Sequence, residues 1–184
     1  AKNKFSMMKV RYSYLKDQFS NCPDLWSKLK KFVSTGDFTL GKPLIEFEKK
    51  FAKLIGTKYA VGVNSGTDAI KLSLKALDVK QGDEIITAAN TFVATIGAIV
   101  ELGAKPVFVD IDPATFNIDP NALAAAITEK TKAVIPVHLF GQCADMDEIM
   151  AICDEHGLVV IEDAAQSIGA NINGRPAGAW GHFG

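Results

Sequence analysis

Short, almost wholly apolar runs recur along this chain, each followed by a polar corner and then by a stretch with helical spacing or a further turn. Glu84–Ala88, Lys105–Val109, Ala133–Val137 and Leu158–Ile161 have the length and β-branched content of strands, and Thr91–Leu102 and Met146–His156 have the periodicity of helices. Tyr59–Val63 is predicted to be a further strand. It ends at Asn64-Ser65-Gly66-Thr67, after which Ile70, Leu72, Leu74 and Leu77 recur at helical spacing. A strand that is apolar on both faces needs cover on both faces, and helices lying between successive strands supply it when the strands run parallel. The spacing therefore predicts an α/β fold with a mainly parallel sheet flanked by helices.

Ahead of the alternation, two amphipathic stretches, Asp24–Phe32 and Pro43–Leu54, are separated by the break Phe32-Val33-Ser34-Thr35-Gly36-Asp37. The expected organisation is an N-terminal helical arm over 1–55 and a partial large α/β domain over 56–184. The arm is expected to pack on the sheet domain or on a second subunit. Asn171–Gly184 carries Gly174, Gly178, Gly181, Gly184 and Pro176, a loop composition, so the chain is expected to stop in mid-structure. Ala1–Ser6, ahead of Met7 and Met8, is set aside as an expression scar or read-through.

Twenty basic and 21 acidic residues leave a formal net charge of -1, so no global field exists to recruit nucleic acid or an anionic membrane. The expected partner is a small molecule or another protein. Cys22, Cys143 and Cys153 form no paired spacing, and neither a secretory apolar region nor a membrane-spanning run is present. A reducing cytoplasm is the expected compartment, with the cysteines as packing residues and no metal site.

In a parallel sheet, ligands gather at the carboxyl ends of the strands, where helix N-termini direct free N–H groups into one crevice. The polar residues at those ends are Asn64–Thr67, Asn90–Thr91, Asp110, His138 and Asp163, with Gln166 three residues beyond the last. Ser65-Gly66-Thr67 suits a phosphate, because glycine admits close backbone approach and the first helical amides donate; a helix cap without ligand accounts for the same residues. Asp163 needs a cationic or strongly donating neighbour if buried, and a protonated ring nitrogen or the following turn could each provide it. Phe92 opens a helix beside the crevice and is either a cover for a flat ring or a core residue. His138 has no second ligand at metal spacing and is read as a hydrogen-bonded structural histidine.

Together, Asn64-Ser65-Gly66-Thr67-Asp68-Ala69, Ala89-Asn90-Thr91-Phe92-Val93-Ala94-Thr95, Pro136-Val137-His138-Leu139-Phe140-Gly141-Gln142 and Glu162-Asp163-Ala164-Ala165-Gln166-Ser167 resemble the DegT/DnrJ/StrS family of nucleotide-sugar aminotransferases. The similarity runs from about Tyr14 to Gly184. It implies the large domain of the aspartate-aminotransferase-like (type I) fold, incomplete here, with pyridoxal 5'-phosphate as cofactor. By the resemblance Gly66 and Thr67 would hold the phosphate, Phe92 would stack on the pyridine ring, Asp163 would pair with the ring nitrogen and Gln166 would bond the phenolic oxygen. The substrates implied are glutamate and a nucleoside-diphosphate keto sugar, in a homodimer whose sites are completed by the second subunit.

The family's Schiff-base lysine follows Asp163 on a segment expected beyond Gly184, and Lys71, Lys75, Lys105 and Lys132 stand elsewhere. Related sugar dehydratases, working with pyridoxamine phosphate, carry a histidine in that place, so dehydration remains an alternative, as does a non-catalytic fragment. A nicotinamide-binding domain is disfavoured, since the first strand-to-helix corner lacks the spaced glycines of that fingerprint.

Overall fold

The computed structural model describes residues 11–184, so Ala1–Ser6, set aside above, lies outside the described residues. Strand β1 (Glu84–Ala88) is buried along its whole length, with Ile85 and Ile86 fully inaccessible. It pairs in parallel with β2 (Lys105–Val109) on one side and with β3 (Thr131–Ile135) on the other, Ile86 standing opposite both Val107 and Val134. β4 (Val159–Val160) pairs in parallel with β3, giving the order β2-β1-β3-β4. All four strands therefore point their carboxyl ends the same way.

Because side chains alternate along a strand, the sheet feeds two separate cores. On one face Ile86, Val109, Val134 and Val160 pack with Leu123 of α6 (Pro120–Ala126) and with Met146, Ile149 and Cys153 of α7 (Met146–Glu155). On the other, Ile85, Ala133, Ile135 and Ile161 pack with Ile70 and Leu74 of α4 (Gly66–Ala76) and Ala98 and Ile99 of α5 (Val93–Glu101). The predicted α/β class, with a parallel sheet covered by helices on both faces, is what forms.

Helix α4 starts where it does because Ser65 is extended and its Oγ accepts the Asp68 N–H at 3.1 Å. Ser65→Ala is expected to cost about 1 kcal/mol, the usual worth of an N-cap, read as a lower urea midpoint with an unchanged slope. α6 has no strong sequence periodicity and was not anticipated. It is set by Asp119, whose Oδ1 accepts the Asn121 N–H at 2.8 Å, and by Pro120 in its first turn.

The remaining helices are α1 (Leu15–Ser20), α2 (Pro23–Val33) and α3 (Lys42–Ile55). The chain divides into two compact units, one ending at Ile45 and one running Glu46–Gly184, so the division falls inside α3. In the first unit α2 buries none of its residues, and Phe32 meets Phe38 edge-on at 5.7 Å.

Two expectations need correction. Tyr59–Val63 is not a strand: it joins no ladder, and its bonds are from the Gly62 N–H to Glu48 Oε1 at 2.7 Å and from the Thr57 hydroxyl to the Tyr59 carbonyl. Tyr59, Val61 and Val63 are consequently exposed, since an apolar run becomes a strand only where a neighbour offers a free edge. Asn171–Gly184, expected as loop throughout, contains a small antiparallel hairpin of β5 (Asn171–Ile172) and β6 (Arg175–Pro176), turned by Asn173 and Gly174, both at positive φ.

Candidate active site

The parallel register delivers four connections to one edge of the sheet. After β4 the chain continues through a parallel bridge between Val137 and Asp163, in which the Asp163 N–H donates to the Pro136 carbonyl at 2.9 Å and the His138 N–H donates to the Asp163 carbonyl at 3.0 Å. Those bonds fix the Asp163 main chain. Its half-buried carboxylate accepts from the Thr95 hydroxyl at 3.3 Å through Oδ2 and from the Ala165 N–H at 3.2 Å through Oδ1. No cationic side chain pairs with it among the described residues.

Thr95 belongs to the first turn of α5, is fully buried, and shares a 3.2 Å hydroxyl contact with Thr91. Nothing in its sequence setting marks it as a partner of Asp163, 68 residues away. Phe92 is the extended residue that caps the same helix and is 70% exposed, so its ring is not a core residue. Phe92 and Thr95, the residue that bonds Asp163, thus stand in the same first turn of α5, where the Thr95 N–H donates to the Phe92 carbonyl at 3.1 Å.

Gln166 is held by the turn after His138. Its Oε1 accepts the Phe140 N–H at 2.9 Å, which commits the amide oxygen and leaves the NH2 end as the donor. That turn is unusual: Phe140 lies at φ 57, a strained value for an aromatic residue, and Gly141 at φ 86, where an added Cβ would stand 3.3 Å from the Gln166 carbonyl. Buried Asn117, also unanticipated, clamps the turn by accepting the Leu139 N–H at 3.0 Å and donating to the Gln142 carbonyl at 3.1 Å.

Gly66 and Thr67 form the first turn of α4, which joins the same core face as α5. Ser65 Oγ and the Ser65 carbonyl take the N–H groups of Asp68 and Ala69, so those of Gly66 and Thr67 have no acceptor among the described residues. Nothing stands within 4 Å of where a Gly66 Cβ would be. The Ser65 hydroxyl, and then Lys71 and Asn64, hold the Asp68 carboxyl below its ordinary range. Among the described residues no hydrogen bond ties Gly66 or Thr67 to Asp163 or Gln166; the link between them is the packing of α4 beside α5.

His138 is fully buried, and its Nδ1 accepts the Ala144 N–H at 3.1 Å, so the ring proton sits on Nε2 and is donated to Glu162 Oε2 at 2.9 Å. It is a hydrogen-bonded structural histidine, as its sequence setting implied. Glu162 is a buried acceptor. The Asp110 side chain makes no hydrogen bond to these residues, although its carbonyl accepts the Asp119 N–H.

The donor set fits pyridoxal phosphate: two free helix-terminal N–H groups and a threonine hydroxyl for a phosphate, an exposed ring for a pyridine, a carboxylate lacking a cation for a protonated nitrogen, and an oriented amide donor. Burial and then the charge of Glu162 push the Cys143 thiol up, and burial pushes Cys153 up to about 12, which favours the protonated thiol over the nucleophilic thiolate at both. Lys71 pairs with Glu101 at 3.1 Å, and Lys105 pairs with Glu84 at the opposite end of the strands. Among the described residues no His, Cys, Asp and Glu group is placed to hold a metal, and no helix is long and apolar enough to cross a membrane.

A model of the DegT/DnrJ/EryC1/StrS aminotransferase family matches residues 23–184. The pleiotropic regulatory protein of Geobacillus stearothermophilus is 50% identical over 175 residues, covering 95% of this chain and 47% of that protein. The UDP-2-acetamido-2-deoxy-3-oxo-D-glucuronate aminotransferase of Pseudomonas aeruginosa is 46% identical over 167 residues, covering 90% of this chain and 46% of that one. A crystal structure of a DegT DnrJ EryC1 StrS aminotransferase from Brucella abortus superposes with a TM-score of 0.90 at 36% identity, over 95% of this chain and 49% of that chain. The chain spans about half the length of the relatives it matches.

Proposed function

Because this chain belongs to the DegT/DnrJ/EryC1/StrS aminotransferase family, we propose that its protein transfers an amino group from glutamate to a keto sugar carried on a nucleoside diphosphate, with pyridoxal 5'-phosphate as cofactor. The observation that carries this reading is Asp163, a half-buried carboxylate at a strand end that takes a hydroxyl and an amide N–H but no cation among the described residues. Such a group is suited to a protonated ring nitrogen, which it would keep charged. Bound there, pyridoxal phosphate supplies an electron sink for the electron pair released at the amino donor's α-carbon.

The other roles follow from the donors each residue has free. Gly66 and Thr67 hold the phosphate through the open amides of α4 and the threonine hydroxyl. Phe92 covers one face of the pyridine. Gln166 donates its amide to the phenolic oxygen, its own oxygen being committed to Phe140. Thr95, donating to Asp163, keeps that carboxylate aimed.

The reading includes a homodimer and a cytoplasmic setting. Exposed Tyr59 and Val61, a few residues before the Ser65 corner, and exposed Phe92 supply apolar surface for a second subunit to cover. All three cysteines are free.

The test is spectroscopic. The complete gene product, purified with pyridoxal phosphate, is expected to be yellow and to lose its visible band on addition of glutamate, regaining it when a nucleotide keto sugar is supplied and an amino sugar forms. A colourless protein with no cofactor affinity would sink the proposal. A band that glutamate bleaches, with deoxygenated and not aminated sugar as product, would favour the dehydratase.

A further inference from the structure

Glu162 and His138 are buried next in the chain to the edge just described and form a hydrogen-bonded network. The Glu162 carboxylate accepts four hydrogen bonds: Oε1 from the N–H groups of Trp180 and Gly181, both at 2.6 Å, and Oε2 from the Gly178 N–H at 2.8 Å and from His138 Nε2 at 2.9 Å. Three backbone amides of one loop thus converge on a single side chain. The loop is shaped for this: Gly178 lies at φ 85, and a Cβ on Gly181 would come within 2.8 Å of the Val160 carbonyl. Side chains there would lift the amides away from the carboxylate.

The network continues through the histidine. With Nδ1 taken by the Ala144 N–H, the ring spans Glu162 and the start of the segment leading into α7. The same ring begins the Leu139–Gln142 turn, whose Phe140 N–H fixes the oxygen of Gln166. Alternation along the chain sends adjacent carboxylates to different duties: Glu162 to the glycine loop, Asp163 to Thr95 of α5. The peptide joining them is held by the Asp163 N–H to the Pro136 carbonyl, and its two flanking peptides by the Glu162 N–H to the Phe183 carbonyl and the His138 N–H to the Asp163 carbonyl.

We infer that Glu162 and His138 are positioning residues for the reaction, aligning the Asp163 carboxylate and the Gln166 amide through the 136–144 turn and the 178–181 loop. The inference rests on the cofactor reading above. Neither side chain touches the reacting groups. Their effect is on the geometry of those that do, where misplacement by a fraction of a bond length is costly.

The experiment uses the complete gene product loaded with pyridoxal phosphate, with His138→Asn, His138→Gln and Glu162→Gln. Asparagine is too short to reach Glu162, whereas glutamine keeps a donor near the position of Nε2. Glu162→Gln sets an amide NH2 against N–H donors. His138→Asn and Glu162→Gln are expected to lower kcat about tenfold to a hundredfold, with KM for glutamate changed less than about twofold. They should also shift the wavelength of the bound cofactor's visible band, and His138→Gln should restore both. A folded His138→Asn or Glu162→Gln protein with wild-type kcat and band would overturn the inference, as would variants that never fold, which would make the pair a folding element only. A wild-type protein without a visible band would sink the cofactor reading instead, so the two failures are distinguishable.

Discussion

Asp163→Ala in the complete protein is expected to lower turnover by about a hundredfold to a thousandfold, the loss that follows removal of one preorganised electrostatic partner. The melting temperature should move by no more than a few degrees, because the side chain is half-buried and gives up only a 3.3 Å contact with Thr95 and a 3.2 Å contact with the Ala165 N–H. Asp163→Asn separates the two roles. The amide can still accept a bond from Thr95 or Ala165, so local structure survives, but it carries no charge to keep a ring nitrogen protonated. Asn and Ala should therefore be similarly inactive. Kinetics on glutamate and a nucleotide keto sugar, paired with thermal melts, give the answer. An Asn variant with more than about a tenth of wild-type activity would remove the charge from the argument.

That residue was legible in the sequence because of what precedes it. Val159 and Val160 are followed by Ile161, and a fully apolar run that ends in a carboxylate marks a strand end wherever the sheet is covered on both faces. The same logic found β1 at Glu84–Ala88, where burial along the whole strand makes pattern and structure coincide, and it found β2 at Lys105–Val109 although that edge strand leaves Lys105 and Phe108 exposed. It failed at Tyr59–Val63, an apolar run of similar length, because a strand also needs a free edge and pairing is a non-local fact. Glu162 was invisible for a related reason. Its partners are backbone N–H groups 16 to 19 residues away, and an amide at Gly178, Trp180 or Gly181 carries no sequence signature. Phe140 was hidden too, since nothing in an aromatic residue announces a left-handed backbone held by Asn117 and Gln166.

Glu162 also governs how the fold responds to acid. Burial pushes its carboxyl up, but the His138 ring proton and the N–H groups of Gly181, Gly178 and Trp180 outweigh that and hold it below its ordinary value of 4.5. A carboxyl with a lower value folded than unfolded contributes stability that is complete above the unfolded value and is lost as pH falls through the folded one. Glu162→Ala leaves three amides and a ring N–H facing an apolar gap, so it is expected to cost about 3–5 kcal/mol near neutral pH, since each buried donor left without an acceptor costs about 1–3 kcal/mol and relaxation recovers part of the sum. The penalty should be flat from about pH 7 down to about pH 5 and should shrink below that, because the wild type loses its advantage by protonation while the variant has none to lose. Other carboxyls held low, such as Glu84 with Thr128 and Lys105, titrate alike in both proteins and cancel in the difference. Urea midpoints of the two proteins, measured from neutral to about pH 3, supply that difference. A penalty that stays constant through the acid range would show that the ionised carboxylate is not what holds the glycine loop. A penalty near zero at pH 7 would show that water replaces Glu162 without cost.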